Sequence, residues 1–481
     1  MTMSPADDLA LGAQNYAPMV QSQGGAYDVD PALTAYVQAV GKRLADVSDV
    51  ALPYEFTVLN SSVPNAWALP GGKIAVNRGL LTEMNSEAEL AAVLGHEITH
   101  AAARHTAQQM SRGQILQGLV LATSVVTNDS SYGSLAVGGA GVAAQLVSTR
   151  YGREAELESD KYGMKYMSKA GYDPQGAVTL QETFVRLSEG RDQDWLSGLF
   201  ASHPPSQERV TANRDRLRKL PAGGTLGVEA YQAVMQKTLA AKPAYDAYDE
   251  GRKALSEKKN DEALALADKA IESFPAEANF HALRGDVRLM NKQYDMAVTN
   301  YDRAISRRGD FFYYPLQRGL ANKELGKTDL AVADFERSIS LLPTAPAHYH
   351  LGLIQRDRGQ NAAAIEHFRV VAKSGGEYGK AASAELARLE LADNPAGYVS
   401  RACGAGGKGQ LLVSVRNDAP MAITAVQVQV EYTDSVGRTQ QLRRNVGGRL
   451  EPGQVATADT GLAPYAGSSC PVKVISARIA D

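Results

Sequence analysis

The chain has 481 residues and carries 50 Lys+Arg against 53 Asp+Glu, a formal net charge of −3. At roughly 100–200 residues per domain, this length predicts several domains, each with its own core, and 44% apolar with 21% charged residues is ordinary globular composition. Near-neutral balance without a block of like charge excludes a nucleic-acid binder or polybasic membrane anchor; the nearest candidate, Ile115 to Val126, is too short to span a bilayer, so no transmembrane helix is expected.

The N-terminal residues Met1 to Asp8 contain neither a basic stretch nor an apolar one, so no signal peptide is predicted within them. Removal of a leader or lipid anchor ahead of them is left open. Asn65 to Val76 (NAWALPGGKIAV) reads as a strand region that turns at Pro70-Gly71-Gly72. Its first strand, with Asn65, Ala66, Trp67 and Ala68, is expected either to offer an exposed edge to an extended substrate backbone or to be an ordinary core hairpin.

Ser86 to Met110 has helical periodicity and contains His96-Glu97-x-x-His100. At about 100° per residue the two histidines lie about 40° apart on one face, so both imidazoles can reach one metal ion. Glu97 is then placed as general base toward the attacking water. His105 follows His96 by nine residues, about half a turn off that face, and is predicted to point away and hydrogen-bond another segment.

A zinc site needs a third protein ligand. Arg153 to Gly163 opens a helix predicted to run to about Ala170 and to end at Gly171-Tyr172-Asp173-Pro174. Glu156 and Asp160 share one face, whereas Glu158 lies about 200° from Glu156 and cannot join them. One of the pair can ligate the metal while the other orients a ligand histidine. The Gly-rich stretch Tyr132 to Val147 is read as close helix packing rather than a lid.

From residue 244 to 392 the chain repeats. Gly251, Gly285, Gly319 and Gly352 are 34, 34 and 33 residues apart. Ala263, Ala297, Ala331 and Ala364 follow at a constant offset, as do Ala267, Tyr301, Phe335 and Phe368. This helix–turn–helix period with small and aromatic columns resembles the tetratricopeptide (TPR) repeat, whose stacked units offer a concave face to peptides or partner proteins. His281, His348, His350 and His367 fall in the repeats, and the i, i+2 spacing of His348 and His350 excludes a shared metal there.

Residues 398–481 alternate with period 2 in Leu411 to Val415 and Ile423 to Tyr432, with turns at Asp434 to Gly437 and Glu451-Pro452-Gly453. A small antiparallel sandwich is expected. Cys403 and Cys470, the only cysteines, fit one structural disulfide and an oxidising compartment better than a metal site; two separate buried thiols are the alternative.

His96-Glu97-x-x-His100 followed by Arg153-x-x-Glu156-x-Glu158-Ser159-Asp160 resembles the HtpX- and CAAX-protease-type zinc metallopeptidases, most closely their TPR-bearing periplasmic branch. Asn65 to Val76 and Ser202-His203-Pro204-Pro205 with Arg209 match two further elements of that family in order and spacing. Ser159 stands where Ala is commoner and Trp67 where Phe is frequent, both small departures. The resemblance implies one zinc held by His96, His100 and Glu156, Glu97 as base, Asp160 supporting a ligand, and Arg209 stabilising the oxyanion. It also makes His203 a candidate latch or fourth ligand. It covers about residues 1–235, with TPR repeats in the expected place beyond; the sandwich falls outside it.

The expected architecture is therefore multidomain. A mainly α metallopeptidase domain with a small edge-strand sheet spans 1–238, a TPR solenoid of about four repeats 244–392, and an all-β sandwich 398–481. The resemblance implies a zinc metalloendopeptidase of protein quality control in the periplasm, peripheral to the outer membrane. It would cut unfolded or misassembled polypeptides in extended form, and the TPR groove would dock the outer-membrane assembly machinery. The alternative is a TPR chaperone or scaffold with latent proteolysis. A prenyl-protein protease is excluded by the lack of transmembrane helices.

Overall fold

The computed structural model describes residues 4–111, 151–190, 202–433, 437–462 and 472–480. The expected helix-packing stretch Tyr132 to Val147, the apolar run Ile115 to Val126 and Cys470 lie outside the described residues. The chain forms two compact units, Met1–Ala347 and His348–Asp481. The division falls inside a TPR helix rather than at a boundary between composition regimes. No described helix is long and apolar enough to cross a membrane.

The first unit begins with α1 (Pro5–Ser22) and α2 (Pro31–Ala45). Ser4 and Asp7 form a reciprocal capping box at α1, and Asp30 caps α2, each just before a proline at the first helical position. Between them and the next helices lies a small sheet of β1 (Glu55–Leu59), β2 (Ala66–Leu69) and β3 (Lys73–Asn77), in the order β1-β3-β2. β1 runs parallel to β3, and β2 antiparallel with Leu69 opposite Lys73. The turn joining β2 to β3 needs positive φ at two successive positions, supplied by Gly71 (+81°) and Gly72 (+90°).

β2 lies at the sheet margin but is buried, as the core-hairpin alternative expects and the open-edge alternative does not. Ala66, Trp67, Ala68 and Leu69 are at most 5% accessible. Trp67 and Leu69 pack with Met19, Leu11, Tyr16 and Val20 of α1, while Ala66 and Ala68 belong to the main core with the central helix.

That central helix, α4 (Glu87–Ala102), is capped by Ser86 and buried at every position from Ala88 to Ala101. A helix enclosed all round is apolar all round, which explains its Ala/Leu-rich composition and makes its His and Glu side chains notable. After the single-turn α3 (Arg78–Leu81) and α4 come α5 (His105–Ser111), α6 (Arg153–Lys169), α7 (Gln175–Gly190) and α8 (Gln207–Leu217). α6 crosses α4 at paired glycines. A Cβ on Gly163 would sit 3.0 Å from His96 N and 3.1 Å from Gly95 C, and one on Gly95 3.1 Å from Gly163 O. Only two hydrogens at the crossing let the backbones approach this closely.

The expected boundary at 238–244 lies within one continuous helix, α9 (Val228–Ser256). Its first half seals the peptidase-like core, with Tyr231 donating to Leu81 O at 2.7 Å, and its last turns begin the repeats. Repeat pairs follow as the end of α9 with α10 (Asn260–Ser273), α11 (Ala278–Met290) with α12 (Tyr294–Arg307), and α13 (Tyr313–Glu324) with α14 (Thr328–Leu341). The repeat columns have a direct steric cause. A Cβ on Gly285 would meet the Tyr301 ring at 2.7 Å, and one on Gly319 the Phe335 ring at 2.8 Å. Each glycine is the slot that receives the aromatic of its own repeat.

The second unit holds α15 (Ala345–Asp357), α16 (Asn361–Ala372) and α17 (Gly376–Glu390), where Gly352 receives Phe368 in the same way. Two three-stranded antiparallel sheets follow. One has the order β4 (Val399–Ala405), β5 (Leu411–Asn417), β8 (Val455–Asp459); the other β7 (Thr439–Asn445), β6 (Ile423–Thr433), β9 (Val472–Ile479). Alternate residues such as Val413, Val415, Val428, Val430 and Val474 share one Val-rich core. Cys403 on β4 is disulfide-bonded.

Candidate metal centre

His96 and His100 sit one turn apart on α4, and their Nε2 atoms are 3.0 Å from each other. The glycine crossing carries α6 close enough for Glu156 to reach the same point. Its Oε2 lies 3.5 Å from His96 Nε2 and its Oε1 3.3 Å from His100 Nε2. His203, just ahead of α8, places Nδ1 3.0 Å from Glu156 Oε1 and 3.3 Å from His96 Nε2. All four side chains are buried. Among the described residues this is the one group of three or more His, Cys, Asp or Glu side chains whose ligand atoms converge.

The spacing tests whether a metal ion fits. Tetrahedral coordination at about 2.0–2.1 Å gives ligand–ligand edges of about 3.3–3.4 Å, against the 3.0–3.5 Å measured. Buried nitrogen and carboxylate lone pairs aimed at one another this closely repel unless a proton or cation lies among them. The donor set fits a divalent ion.

Each ligand has support behind it. His96 Nδ1 is 2.9 Å from Asp160 Oδ1, so Asp160 orients the ring and fixes its tautomer. Arg209 then clasps Asp160 through Nε (2.8 Å) and Nη2 (2.6 Å), with Nη1 2.8 Å from Glu156 Oε2. The role of Arg209 as oxyanion stabiliser is thus not the contact the structure displays. Its planar fork is fully engaged by two carboxylates, and it positions ligands.

Charge follows from these contacts. Burial pushes the Glu97 carboxyl up, partly offset by His203 and His96. Burial would also raise Glu156, but His203 and His96 with the hydrogen bonds from His100 and His203 hold it well below the carboxylate range. Asp160 is likewise held down, because Arg209 outweighs burial. Burial drives His100 well below the ordinary imidazole value. His203 goes the other way: burial opposes its charge, yet Glu156 and Glu97 raise it. Two carboxylates here call for positive charge, which either an imidazolium or a divalent ion supplies.

Glu97 is 2% exposed, with Oε1 3.5 Å from His203 Nε2 and no hydrogen-bond partner for Oε2. The cavity beside it, bordered by Ala66, His96, Glu97, His203, Arg209 and Phe184, is narrow, with about 30 Å³ open to the centres of water molecules. That is room for a water or two.

His105 departs from the expected geometry. The helix does not continue past Ala102: Arg104 takes φ +59° and α5 starts at His105. The ring therefore turns back, Nδ1 2.9 Å from His100 Nδ1 and Nε2 3.3 Å from Glu158 Oε2. Glu158, off the ligand face as expected, is the other segment His105 reaches. Tyr151 was not singled out by any pattern; its ring stacks on His100 at 3.9 Å and its hydroxyl meets Thr106 at 2.9 Å. Gly163 was missed although it had a signal, since Glu156, Asp160 and Gly163 stand at i, i+4 and i+7 on one face. In the second unit His348 Nδ1 lies 2.8 Å from His367 Nδ1, a pair that spacing alone did not reveal.

A buried His-Glu-x-x-His pair on a central helix, completed by a carboxylate from a crossing helix, defines a metal-dependent peptidase. Residues 31–217 match the model of peptidase family M48, and residues 248–311 and 316–382 match the tetratricopeptide repeat. Metalloprotease YcaL of Escherichia coli (strain K12) is 32% identical over 225 residues, which cover 45% of this chain and 82% of that protein. The beta-barrel assembly-enhancing protease of Yersinia pestis is 26% identical over 354 residues, 67% of this chain and 71% of that one. The protease of that name in Escherichia coli (strain K12) is 27% identical over 233 residues, 47% of this chain, and the chain spans 46% of its length. A Vibrio cholerae relative, 31% identical over 199 residues, is spanned to 40% of its length, the match taking in 40% of this chain. The chain belongs to peptidase family M48 and carries TPR repeats beyond its peptidase segment.

Proposed function

We propose that the protein is a zinc metalloendopeptidase of the bacterial envelope that cuts extended segments of unfolded or misassembled outer-membrane and periplasmic proteins. The observation that carries this reading is the convergence of His96, His100, Glu156 and His203, whose measured nitrogen–nitrogen and nitrogen–oxygen separations of 3.0–3.5 Å are close to the edges of a tetrahedral metal site. His96, His100 and Glu156 hold the zinc and Asp160 and Arg209 keep His96 and Glu156 in place. Zinc bound there supplies Lewis acidity, polarising the scissile carbonyl and making water a nucleophile near neutral pH. Glu97 takes the proton from the attacking water and returns it to the leaving amine. Substrate backbone would pair with β2 by main-chain hydrogen bonds, a sequence-tolerant mode of binding, once the residues that cover this buried strand yield. The TPR array docks substrates or an envelope assembly machine, in line with the names of the relatives, and the disulfide at Cys403 suits an oxidising compartment.

A second reading, a TPR scaffold with latent proteolysis, is favoured by the position of His203. It completes the cluster and stands against Glu97, beside a narrow cavity. The two readings join if His203 is a latch. Glu97→Gln tests the enzyme: cleavage of an unfolded substrate such as casein is abolished while zinc content stays near one per chain. Wild-type cleavage by that variant refutes the mechanism.

A further inference from the structure

Behind His100, on the side away from the ligand cluster, a chain of hydrogen bonds runs out to the surface. His100 Nδ1 meets His105 Nδ1 at 2.9 Å, and His105 Nε2 meets Glu158 Oε2 at 3.3 Å. Both imidazoles are buried, at 1% and 4% exposure, whereas the Glu158 side chain is half exposed. The direction of the chain follows from its outer end. A carboxylate only accepts, so His105 carries its proton on Nε2 and presents a lone pair at Nδ1. His100 must then carry its proton on Nδ1, which leaves Nε2 as the lone pair aimed into the cluster. The reverse tautomer of His100 would set two lone pairs against each other at 2.9 Å and aim an N–H at the ligand site.

The backbone is shaped to make this contact. Arg104 adopts the left-handed region, rare for a residue with a side chain, and the break it introduces brings the His105 ring edge-on to His100, 4.9 Å between centroids at 74°. The next residue, Thr106, holds the Tyr151 hydroxyl, and Tyr151 covers the face of the His100 ring.

We infer that His105 and Glu158 form a positioning relay that fixes the tautomer and orientation of His100 and thereby sets the affinity of the metal centre. It is the counterpart of the two-residue support that Asp160 and Arg209 give His96. The inference rests on His100 being a metal ligand. Among the described residues the relay's hydrogen bonds reach the cluster through His100 and not through Glu97, so the relay acts on metal retention rather than on the chemical step.

The test is zinc affinity of the full chain, measured by competition with a chromophoric chelator, beside the melting temperature of each metal-free form. His105→Leu is expected to weaken zinc binding about 10- to 100-fold. His105→Gln, whose Oε1 can still accept the His100 N–H, recovers part of that loss. Glu158→Ala, at a half-exposed site, weakens binding about three- to tenfold with an unchanged metal-free melting temperature. A merely structural role for His105 would lower the metal-free melting temperature and leave the zinc constant alone. Wild-type zinc affinity in Glu158→Ala overturns the relay, whatever His105→Leu does and even if that variant does not fold. Failure of the metal-centre reading looks different, because then the wild-type chain itself takes up no zinc.

Discussion

Replacing Gly163 by Ala adds one methyl group where the metal-ligand helices cross. The new Cβ would lie 3.0 Å from His96 N, 3.1 Å from Gly95 C and 3.3 Å from Gly95 O, about 0.5 Å inside the distance at which carbon contacts become favourable. All three neighbours are backbone atoms of α4, so no side chain can swing aside, and α6 must move off. Overpacking of this kind costs about 1–3 kcal/mol, offset by up to about 1 kcal/mol from replacing glycine in a helix. A net loss of about 0–3 kcal/mol is therefore expected for the metal-free fold. The effect on the ion is sharper, because Glu156 rides on α6 two turns before Gly163 and metal bonds tolerate only about 0.2 Å. A shift of half an ångström should weaken zinc at least about tenfold, or about 1.4 kcal/mol. Competition with a chromophoric chelator reads this directly, with Gly152→Ala as the control, since a Cβ there meets nothing within 4 Å. Wild-type affinity together with an unchanged metal-free melting temperature in Gly163→Ala would refute the crossing argument.

His203→Ala removes the donor facing Glu97 and opens the fourth position of the cluster; basal proteolysis of unfolded substrate should rise, and unchanged or lower activity tells against a latch. Chelation should lower the melting temperature reversibly, since an ion present at a hundredfold over its Kd stabilises by about 2.7 kcal/mol; a transition unmoved by chelator and by added zinc contradicts a bound metal. Asp286, in the repeats, accepts from Tyr301 at 2.7 Å and Tyr313 at 3.0 Å, yet burial raises its pKa to about 6. A folded-state pKa above the unfolded value means its contribution is fully present below about pH 4 and is lost as pH rises through 6. Asp286→Asn should therefore stabilise the fold by about 1–2 kcal/mol at pH 7–8 and by little at pH 4, and equal effects in urea titrations at both pH values would contradict the burial argument.

Burial of β2, the narrow cavity and the contact of His203 with Glu97 belong together. In this arrangement the general base, the strand beside it and the ligand cluster are all closed to a peptide. Access for substrate then requires His203 and whatever borders β2 to yield. The cost of uncovering a strand that is almost wholly apolar would fall on the binding of that substrate.

Local periodicity determined much of this protein. The i, i+4 spacing put His96 and His100 on one face, the same spacing singled out Glu156 and Asp160, and a 34-residue period with glycine and aromatic columns defined the repeats. Alternating valines likewise marked the two sheets. Such features depend only on residues close in sequence, so the backbone's own repeat reveals them. Tertiary structure alone decided the rest. It broke the helix at Arg104 and turned His105 back onto His100, sent the fork of Arg209 to Asp160 and Glu156, and decided between an open edge and a buried hairpin for β2 in favour of burial. It also ran one helix across the expected domain boundary. Each of these depends on what approaches from far along the chain, and the distance of approach is set by atoms as small as the hydrogens of Gly95 and Gly163, whose effect no local pattern encodes.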